Sequence, residues 1–191
     1  MIIKSSGLKE ANLVGSPFRE QAMKHLRVND QEYNDMIERL ILKVADDGYE
    51  FDSLLCLARG GMRIGDLFSR VHNVPLAVMA TSSYREEAGR VQGDLDIAAF
   101  ITKTGGEIAG KLLLVDDMVD SGKTIVKVVE HLKKAYPAVT DVRVAVLWWK
   151  SHSVFKPDYH IDYLEDNPWI HQPFEIYDDL GIADLRKKRG E

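Results

Sequence analysis

The sequence predicts an α/β fold: a mostly parallel sheet flanked by helices, with a smaller C-terminal lobe. Short continuous apolar runs, typical of strands buried on both faces, occur at 53–58, 74–80, 111–115 and 142–149. Segments with helical spacing of apolar residues lie between these runs, and such alternation favours a parallel sheet. Open parallel sheets bind ligands beyond the carboxyl ends of their strands. The loops after these strands are therefore the first place to look for a site.

The first predicted helix begins after Asn29. Glu32 follows three residues later, which is the pattern of a capping box, and Gly48 is typical of a helix C-terminus. Two later helices are predicted over about 64–71 and 121–134. The first helix carries one apolar face at helical spacing, formed by Tyr33, Met36, Ile37, Leu40, Ile41 and Val44.

Length, charge and cysteine content narrow the class of protein. The 191 residues suit one domain that buries a core without disulfides. The single cysteine, Cys56, lies in an apolar run and suits a buried side chain in a reducing compartment. A formal net charge of -5 argues against a nucleic-acid-binding protein, and the basic cluster at 186–189 is interpreted as a solvated tail. No apolar run has the length of a membrane span or a secretory signal, so we expect a cytoplasmic protein.

The most informative segment follows the strand at 111–115. Asp116 and Asp117 stand together at the mouth of this strand, where two carboxylates repel each other and lose hydration. Hydroxyl donors or a divalent cation would offset that cost. Residues 120–124 then combine a glycine, two hydroxyls and a lysine at the start of a helix, where backbone N–H groups suit phosphate. A site for a diol or a metal is therefore predicted beside one for phosphate.

Three other interpretations of this segment fit less well. A nucleotide P-loop needs a glycine five positions before Gly122, and Asp117 stands there. A phosphoacceptor receiver domain also uses an acidic pair, but on an early strand and without a phosphate loop directly after it. A capped helix explains Asp120 and Ser121 as caps but leaves the acidic pair without a reason.

The segment resembles the signature of type I phosphoribosyltransferases that binds phosphoribosyl pyrophosphate (PRPP). That signature is an apolar run, two acids, two spacers, Asp, Ser or Thr, Gly, any residue and Thr, and every position matches. The resemblance implies that Asp116 and Asp117 hold the ribose hydroxyls and that Asp117 also organises Mg²⁺. It implies that Asp120 is the general base that takes the proton from N7 of a purine. The residues it assigns to the 5-phosphate are Asp120, Ser121, Gly122, Lys123 and Thr124.

A second loop, at 58–61, agrees with this resemblance. Paired glycines allow a backbone to approach a ligand closely and an arginine suits phosphate oxygens, although glycine turns after strands are common. The spelling Ala-Arg-Gly-Gly is similar to the pyrophosphate-binding loop of the xanthine-guanine members of the family. The residues that this similarity assigns to the departing pyrophosphate are Arg59, Gly60 and Gly61.

A polar stretch between the two loops contains Ser83 and Tyr84. The resemblance places here a mobile loop that closes over PRPP and excludes water. An ordinary surface loop is the alternative.

The C-terminal lobe is expected to select the base. Residues 169–175 resemble the Trp-Ile-x-Gln-Pro-Trp-Asp stretch of xanthine-guanine enzymes, with Phe and Glu at the last two positions. The resemblance implies that Trp169 stacks on the purine, that the Ile170 backbone reads its edge, and that Lys150 contacts the 6-oxo group. The alternatives are a core or interface aromatic for Trp169 and a surface lysine for Lys150.

The resemblance implies one phosphoribosyltransferase domain over 1–191, with a core at about 29–150 and a base-binding hood at about 151–180. The implied Mg²⁺-dependent reaction transfers the 5-phosphoribosyl group of PRPP to a 6-oxopurine (xanthine, guanine or hypoxanthine). Expected partners are these small molecules and further copies of the chain, in a homodimer or homotetramer, without nucleic acid or membrane. The alternatives are a non-catalytic regulator that senses PRPP or nucleotides, and a phosphoribosyltransferase for another base.

Overall fold

A computed structural model describes residues 24–83, 95–98 and 100–191 of the chain. Its strands are β1 (His25–Arg27), β2 (Ser53–Ala58), β3 (Leu76–Ser83), β4 (Leu95–Ile97), β5 (Gly110–Val119), β6 (Val139–Lys150), β7 (Tyr159–Leu164) and β8 (Trp169–His171). Its helices are α1 (Asp30–Asp46), α2 (Met62–His72), α3 (Lys123–Ala135) and α4 (Ile182–Arg189), with a single 3₁₀ turn at Glu175–Tyr177.

Six of the described strands form one sheet in the order β4-β3-β2-β5-β6-β7. Neighbouring strands are parallel except for the antiparallel pair of β3 and β4. β1 and β8 form a separate parallel pair. The predicted α/β class with a mostly parallel sheet is therefore confirmed.

Helix α1 begins and ends as its sequence predicts. The Asn29 side chain accepts a hydrogen bond from the Glu32 backbone at 2.9 Å, and the Glu32 carboxylate accepts one from the Asn29 backbone at 2.9 Å. This is the reciprocal capping box. Asp47 caps the C-terminus, and Gly48 follows with φ +69°, a left-handed conformation that glycine adopts without steric cost. The six predicted apolar residues of α1 are all buried.

The core lies on both faces of the sheet because successive side chains of a strand point to opposite faces. In β2, Leu54 and Cys56 pack with α1 and α2, whereas Leu55 and Leu57 pack with α3. β5 repeats this alternation, so the central strands are buried on both sides. This explains why their sequences are continuous apolar runs.

Two differences from the prediction are the largest. β5 was expected to end at Val115 but continues to Val119, because β6 is long enough to pair with it as far as Trp149. The acidic pair therefore lies within the strand and not in the loop after it. The lobe after residue 150 also contains more regular structure than expected, since β7 pairs with β6 at the edge of the main sheet.

The basic residues at 186–189 belong to α4, and every residue of that cluster is exposed. No helix of the described residues combines the length and the apolar character needed to cross a membrane.

Replacing Leu113, which lies in β5 and is fully buried, tests the core of this sheet. We expect Leu113→Ala to lower the free energy of unfolding by about 2 to 5 kcal/mol, because it removes apolar contacts and leaves a cavity. The matched control is Leu42→Ala on α1, where the side chain is 60% exposed and the expected change is below about 0.5 kcal/mol. Urea unfolding of both variants is the measurement; equal losses at the two positions would contradict the assignment.

Candidate active site

A cavity of about 700 Å³ opens at the carboxyl ends of the central strands. This is the edge where parallel α/β sheets bind ligands. Its walls come from the β2–α2 loop, the end of β5, the first turn of α3 and the segment after β8. The residues predicted from the sequence that line it are Arg59, Gly60, Asp116, Asp117 and Thr124.

Asp116 and Asp117 lie at the floor of this cavity. Oδ1 of Asp116 accepts a hydrogen bond from the Asp117 backbone at 3.0 Å, and Oδ1 of Asp117 accepts one from the Met118 backbone at 2.7 Å. Burial, and then the neighbouring charge of Asp117, hold the pKa of Asp116 well above its usual range. Burial also raises the pKa of Asp117, although a hydrogen bond from Gln172 opposes the rise. Burial thus disfavours the charged form of the pair, which a cation or hydroxyl donors would stabilise.

Two buried side chains that the sequence analysis did not assign to the site lie near this pair. Nε2 of Gln172 donates to Oδ2 of Asp117 at 2.5 Å, while Oε1 of Gln172 has no hydrogen-bond partner among the described residues. The hydroxyl of Tyr33, on α1, is likewise buried without a described partner. Burial and the charge of Asp117 raise the pKa of Tyr33. Gln172 stands in the quoted Trp-Ile-x-Gln-Pro stretch, so a signal for it was present.

These oxygens suit Mg²⁺. Magnesium is bound in proteins by one or two carboxylates and keeps waters and substrate phosphates as its other ligands. Asp116, Asp117 and the unpartnered Oε1 of Gln172 provide such a partial set of hard oxygen donors. The described residues hold no cluster of three or more His, Cys, Asp or Glu side chains that would bind a metal without such help.

The glycines of the β2–α2 loop are required by close packing. A Cβ at Gly60 would lie 2.7 Å from Cγ of Asp117, and one at Gly61 would lie 2.5 Å from the Val115 carbonyl oxygen. Only glycine at these positions lets the loop lie against the acidic strand end. The Arg59 side chain is exposed, and its Nη2 lies 3.3 Å from Oδ1 of Asp178. The arginine predicted to bind pyrophosphate is therefore paired with a carboxylate across the mouth of the cavity.

The loop at 120–124 forms the turn into α3. Gly122 has φ +79° and precedes the first helical residue, Lys123, whose backbone N–H donates to Oγ of Ser121 at 3.4 Å. A Cβ at Gly122 would lie 2.5 Å from Oγ of Ser153, so this loop packs tightly against the turn after β6. Backbone N–H groups at the start of a helix suit an anion.

Asp120 lies beside two groups at the end of β6. Its Oδ1 is 3.3 Å from Nζ of Lys150 and 2.9 Å from Nε2 of His152. Lys150 is 7% exposed and therefore is not a surface lysine. The structure brings together the two residues predicted as general base and base-contacting cation, and it adds His152, for which no sequence motif gave a signal.

The remaining predicted residues are less closely tied to the cavity. Trp169 is 43% exposed, and Ile170 is buried in β8, where it pairs with Leu26 of β1. Ser83 ends β3, where its backbone pairs with Leu95, and Tyr84 lies outside the described residues. Apart from Ser83 and Tyr84, the predicted residues that are not among the described residues lining the cavity are Gly61, Asp120, Ser121, Gly122, Lys123, Lys150, Trp169 and Ile170.

The pH dependence of the free energy of unfolding tests the raised pKa of Asp116. Because the pKa of Asp116 is raised in the folded state, its carboxyl group keeps its proton above about pH 4, where the same group in the unfolded chain loses it. The free energy of unfolding therefore falls as pH rises towards the folded pKa. Asp116→Asn cannot ionise, so we expect it to be more stable than the wild type at pH 7, by about 1.4 kcal/mol per unit of raised pKa, with no difference at pH 3.

Chemical unfolding in EDTA at several pH values is the measurement, since EDTA removes stabilising cations. Asp46→Asn, at an exposed position of α1, is the control for the loss of one negative charge. A stability difference between Asp116→Asn and the wild type that is the same at pH 3 and pH 7 would contradict the raised pKa.

Comparison with known proteins identifies the family. The sequence model of the phosphoribosyl transferase domain matches residues 28–179. The chain is 27% identical to the xanthine-guanine phosphoribosyltransferase of Idiomarina loihiensis over 129 residues. This aligned region covers 67% of this chain and 73% of that protein. The Helicobacter pylori xanthine-guanine-hypoxanthine phosphoribosyltransferase has a TM-score of 0.66 at 23% identity, covering 87% of this chain and 99% of that one. A purine phosphoribosyltransferase from Pyrococcus horikoshii has a TM-score of 0.63 at 24% identity, covering 80% and 94%. This chain belongs to the phosphoribosyl transferase domain family.

Proposed function

We propose that this protein is a Mg²⁺-dependent purine phosphoribosyltransferase. It transfers the 5-phosphoribosyl group of PRPP to a 6-oxopurine (xanthine, guanine or hypoxanthine), and the products are the nucleoside 5′-monophosphate and pyrophosphate. The family assignment and the names of the relatives support the class of reaction. The choice of base rests on the site itself.

The observation that carries this proposal is the contact between Lys150 and Asp120. Their side chains are 3.3 Å apart, and an ammonium only donates hydrogen bonds whereas a carboxylate only accepts them. A 6-oxopurine presents O6, an acceptor, and N7–H, a donor, along the same edge. This edge is complementary to the Lys150–Asp120 pair. Adenine presents an amino group at the same place, which would face the lysine donor to donor.

PRPP is held by three parts of the site in this proposal. Asp116 and Asp117 bind the ribose hydroxyls, and the loop at 120–124 binds the 5-phosphate through backbone N–H groups at the start of α3. Arg59 and the adjoining glycines bind the pyrophosphate, so Arg59 exchanges the carboxylate of Asp178 for phosphate oxygens. Ser83 and Tyr84 belong to the segment proposed to close over the substrate.

The chemical step breaks the bond between C1 of the ribose and the pyrophosphate oxygen while a bond to N9 of the purine forms. The positive charge that develops on the ribose is stabilised by the carboxylates of Asp116 and Asp117. Asp120 accepts the proton from N7. Asp117, with the oxygens of Asp116 and Gln172 nearby, would hold Mg²⁺, which would supply positive charge to neutralise the leaving pyrophosphate.

The base is bound on the side of the C-terminal segment. Lys150 donates to O6, the Ile170 backbone reads the edge of the purine, and Trp169 supplies a flat face for stacking. Stacking accepts any base, so selection among bases depends on the polar contacts. The division into a core at 29–150 and a hood at 151–180, the cytoplasmic location and the homodimer or homotetramer stay predictions.

The direct test is to incubate the purified protein with PRPP and Mg²⁺ and with one base at a time: hypoxanthine, guanine, xanthine, adenine, uracil or orotate. Pyrophosphate release and nucleotide formation are measured together. We expect turnover with at least one 6-oxopurine and none with adenine or the pyrimidines. Turnover only with adenine or a pyrimidine would overturn the role of Lys150. Binding of PRPP without turnover of any base would instead identify a regulator.

Asp120→Asn tests the general base. Asparagine keeps the shape of the side chain but does not accept the N7 proton, so we expect kcat to fall about 10²- to 10⁴-fold. The affinity for PRPP, measured by calorimetry, should change far less. The matched control is Asp46→Asn, at the last residue of α1 and outside the cavity, for which we expect the wild-type kcat. A kcat of Asp120→Asn close to that of wild type would show that Asp120 is not the base.

A further inference from the structure

The carboxylate of Asp120 needs to be held in one orientation to act as the proposed base. Asp120 follows the last residue of β5, and 56% of its side chain is exposed. An exposed carboxylate at the end of a strand rotates freely unless neighbouring groups hold it. A misplacement of about 1 Å in a reacting group can cost about 100-fold in rate.

Two donors hold this carboxylate, and both contact the same oxygen. Nε2 of His152 lies 2.9 Å from Oδ1 of Asp120, and Nζ of Lys150 lies 3.3 Å from it. The histidine contact is the shorter one and has the distance of a hydrogen bond. With Oδ1 held in this way, Oδ2 is the oxygen left to accept the N7 proton in the proposed reaction.

The turn that carries His152 is itself fixed by three backbone hydrogen bonds. The Ser153 N–H donates to the Lys150 carbonyl at 3.1 Å, which closes a turn with His152 inside it. The Ser151 N–H donates to the Leu164 carbonyl at 3.0 Å, and the Val154 N–H donates to the Ser121 carbonyl at 3.0 Å. The last bond joins the turn directly to the loop that follows Asp120. His152 is thus attached to the same framework as the carboxylate it contacts.

Lys150 alone would not hold Asp120 throughout the reaction. In the proposed function its ammonium also donates to O6 of the base, so its contact with Oδ1, the longer of the two at 3.3 Å, is exchanged in part for one with the substrate. An imidazole N–H that does not contact the base keeps its hydrogen bond to Asp120 during that exchange. The two donors therefore have separate tasks, although both contact one oxygen in the free protein.

We propose that His152 is a positioning residue: its Nε2–H holds Oδ1 of Asp120 and thereby aims Oδ2 at the purine N7 proton. This inference rests on the proposed function and extends it to a residue outside the signature. It predicts an effect on kcat through Asp120 and little effect on the binding of PRPP, because the 5-phosphate is proposed to bind backbone N–H groups of the 120–124 loop and not the Asp120 carboxylate.

The test compares steady-state kinetics of His152→Ala, His152→Gln and His152→Asn with the wild type, using PRPP and the best 6-oxopurine. The amide nitrogen of glutamine extends about as far as Nε2 of histidine, whereas that of asparagine lies nearer the backbone. We expect His152→Ala to lower kcat about 10- to 100-fold, with KM for PRPP within about twofold of wild type. His152→Gln should restore most of kcat and His152→Asn should not.

A second comparison separates positioning from a general effect on the turn. Ser151→Ala removes the hydrogen bond that Oγ of Ser151, in the same turn, donates to the Glu165 carbonyl and not to Asp120. We expect this control to keep the wild-type kcat. Adding His152→Ala to Asp120→Asn should cause no further loss, because the carboxylate through which His152 acts has been removed.

The outcomes are distinguishable. A wild-type kcat in His152→Ala, equal rescue by Gln and Asn, or an additive loss in the double variant would each overturn the role of His152 while leaving the proposed function intact. Absence of turnover by the wild-type protein with any base would overturn the proposed function and this inference together. If His152→Ala fails to fold, as judged by thermal unfolding, the Gln and Asn variants still decide between the outcomes.

Discussion

The parallel pairing of β5 with β6 is the interaction on which the candidate site depends. Its register continues past the buried core until Val119 lies opposite Trp149. The next residues are Asp120, directly after β5, and Lys150, at the end of β6, and this register is why the two side chains meet at 3.3 Å. The same extension carries Asp117 to the cavity, where the β2–α2 loop packs against it. A shift of register by one residue would turn these side chains to the other face of the sheet and move Asp120 and Lys150 apart.

The site is formed at a cost to stability. Asp116 and Asp117 are adjacent carboxylates with raised pKa values at the floor of a cavity, and two buried polar atoms beside them, on Gln172 and Tyr33, have no described partner. Such groups destabilise a folded chain unless a ligand satisfies them. The continuous apolar runs of the central strands, buried on both faces of the sheet, provide the stability that offsets this cost. A substrate with hydroxyls and a cation would complete the unsatisfied contacts.

The parts of the fold that follow from short-range physics were predictable from the sequence. The capping box of α1 is formed by Asn29 and Glu32, three residues apart, and the buried strands are continuous apolar runs. The extents of β5 and of the strands after residue 150 were predicted less well. β5 continues through two aspartates because β6 pairs with it, and β7 is held by its pairing with β6. Pairing with a distant strand overrides the local preference of a polar sequence.

The sequence by itself determined the family resemblance and the spacing of the segment 116–124, because an acidic pair, a glycine turn and a helix start depend on residues only a few positions apart. Only the tertiary structure revealed the hydrogen bond from Gln172 to Asp117, the pairing of Arg59 with Asp178 and the contact of His152 with Asp120. The partners in these contacts lie far apart along the chain. The first two contacts depend on how the C-terminal segment packs over the ends of the strands, and the third on the pairing of β5 with β6. No local pattern of residues encodes either.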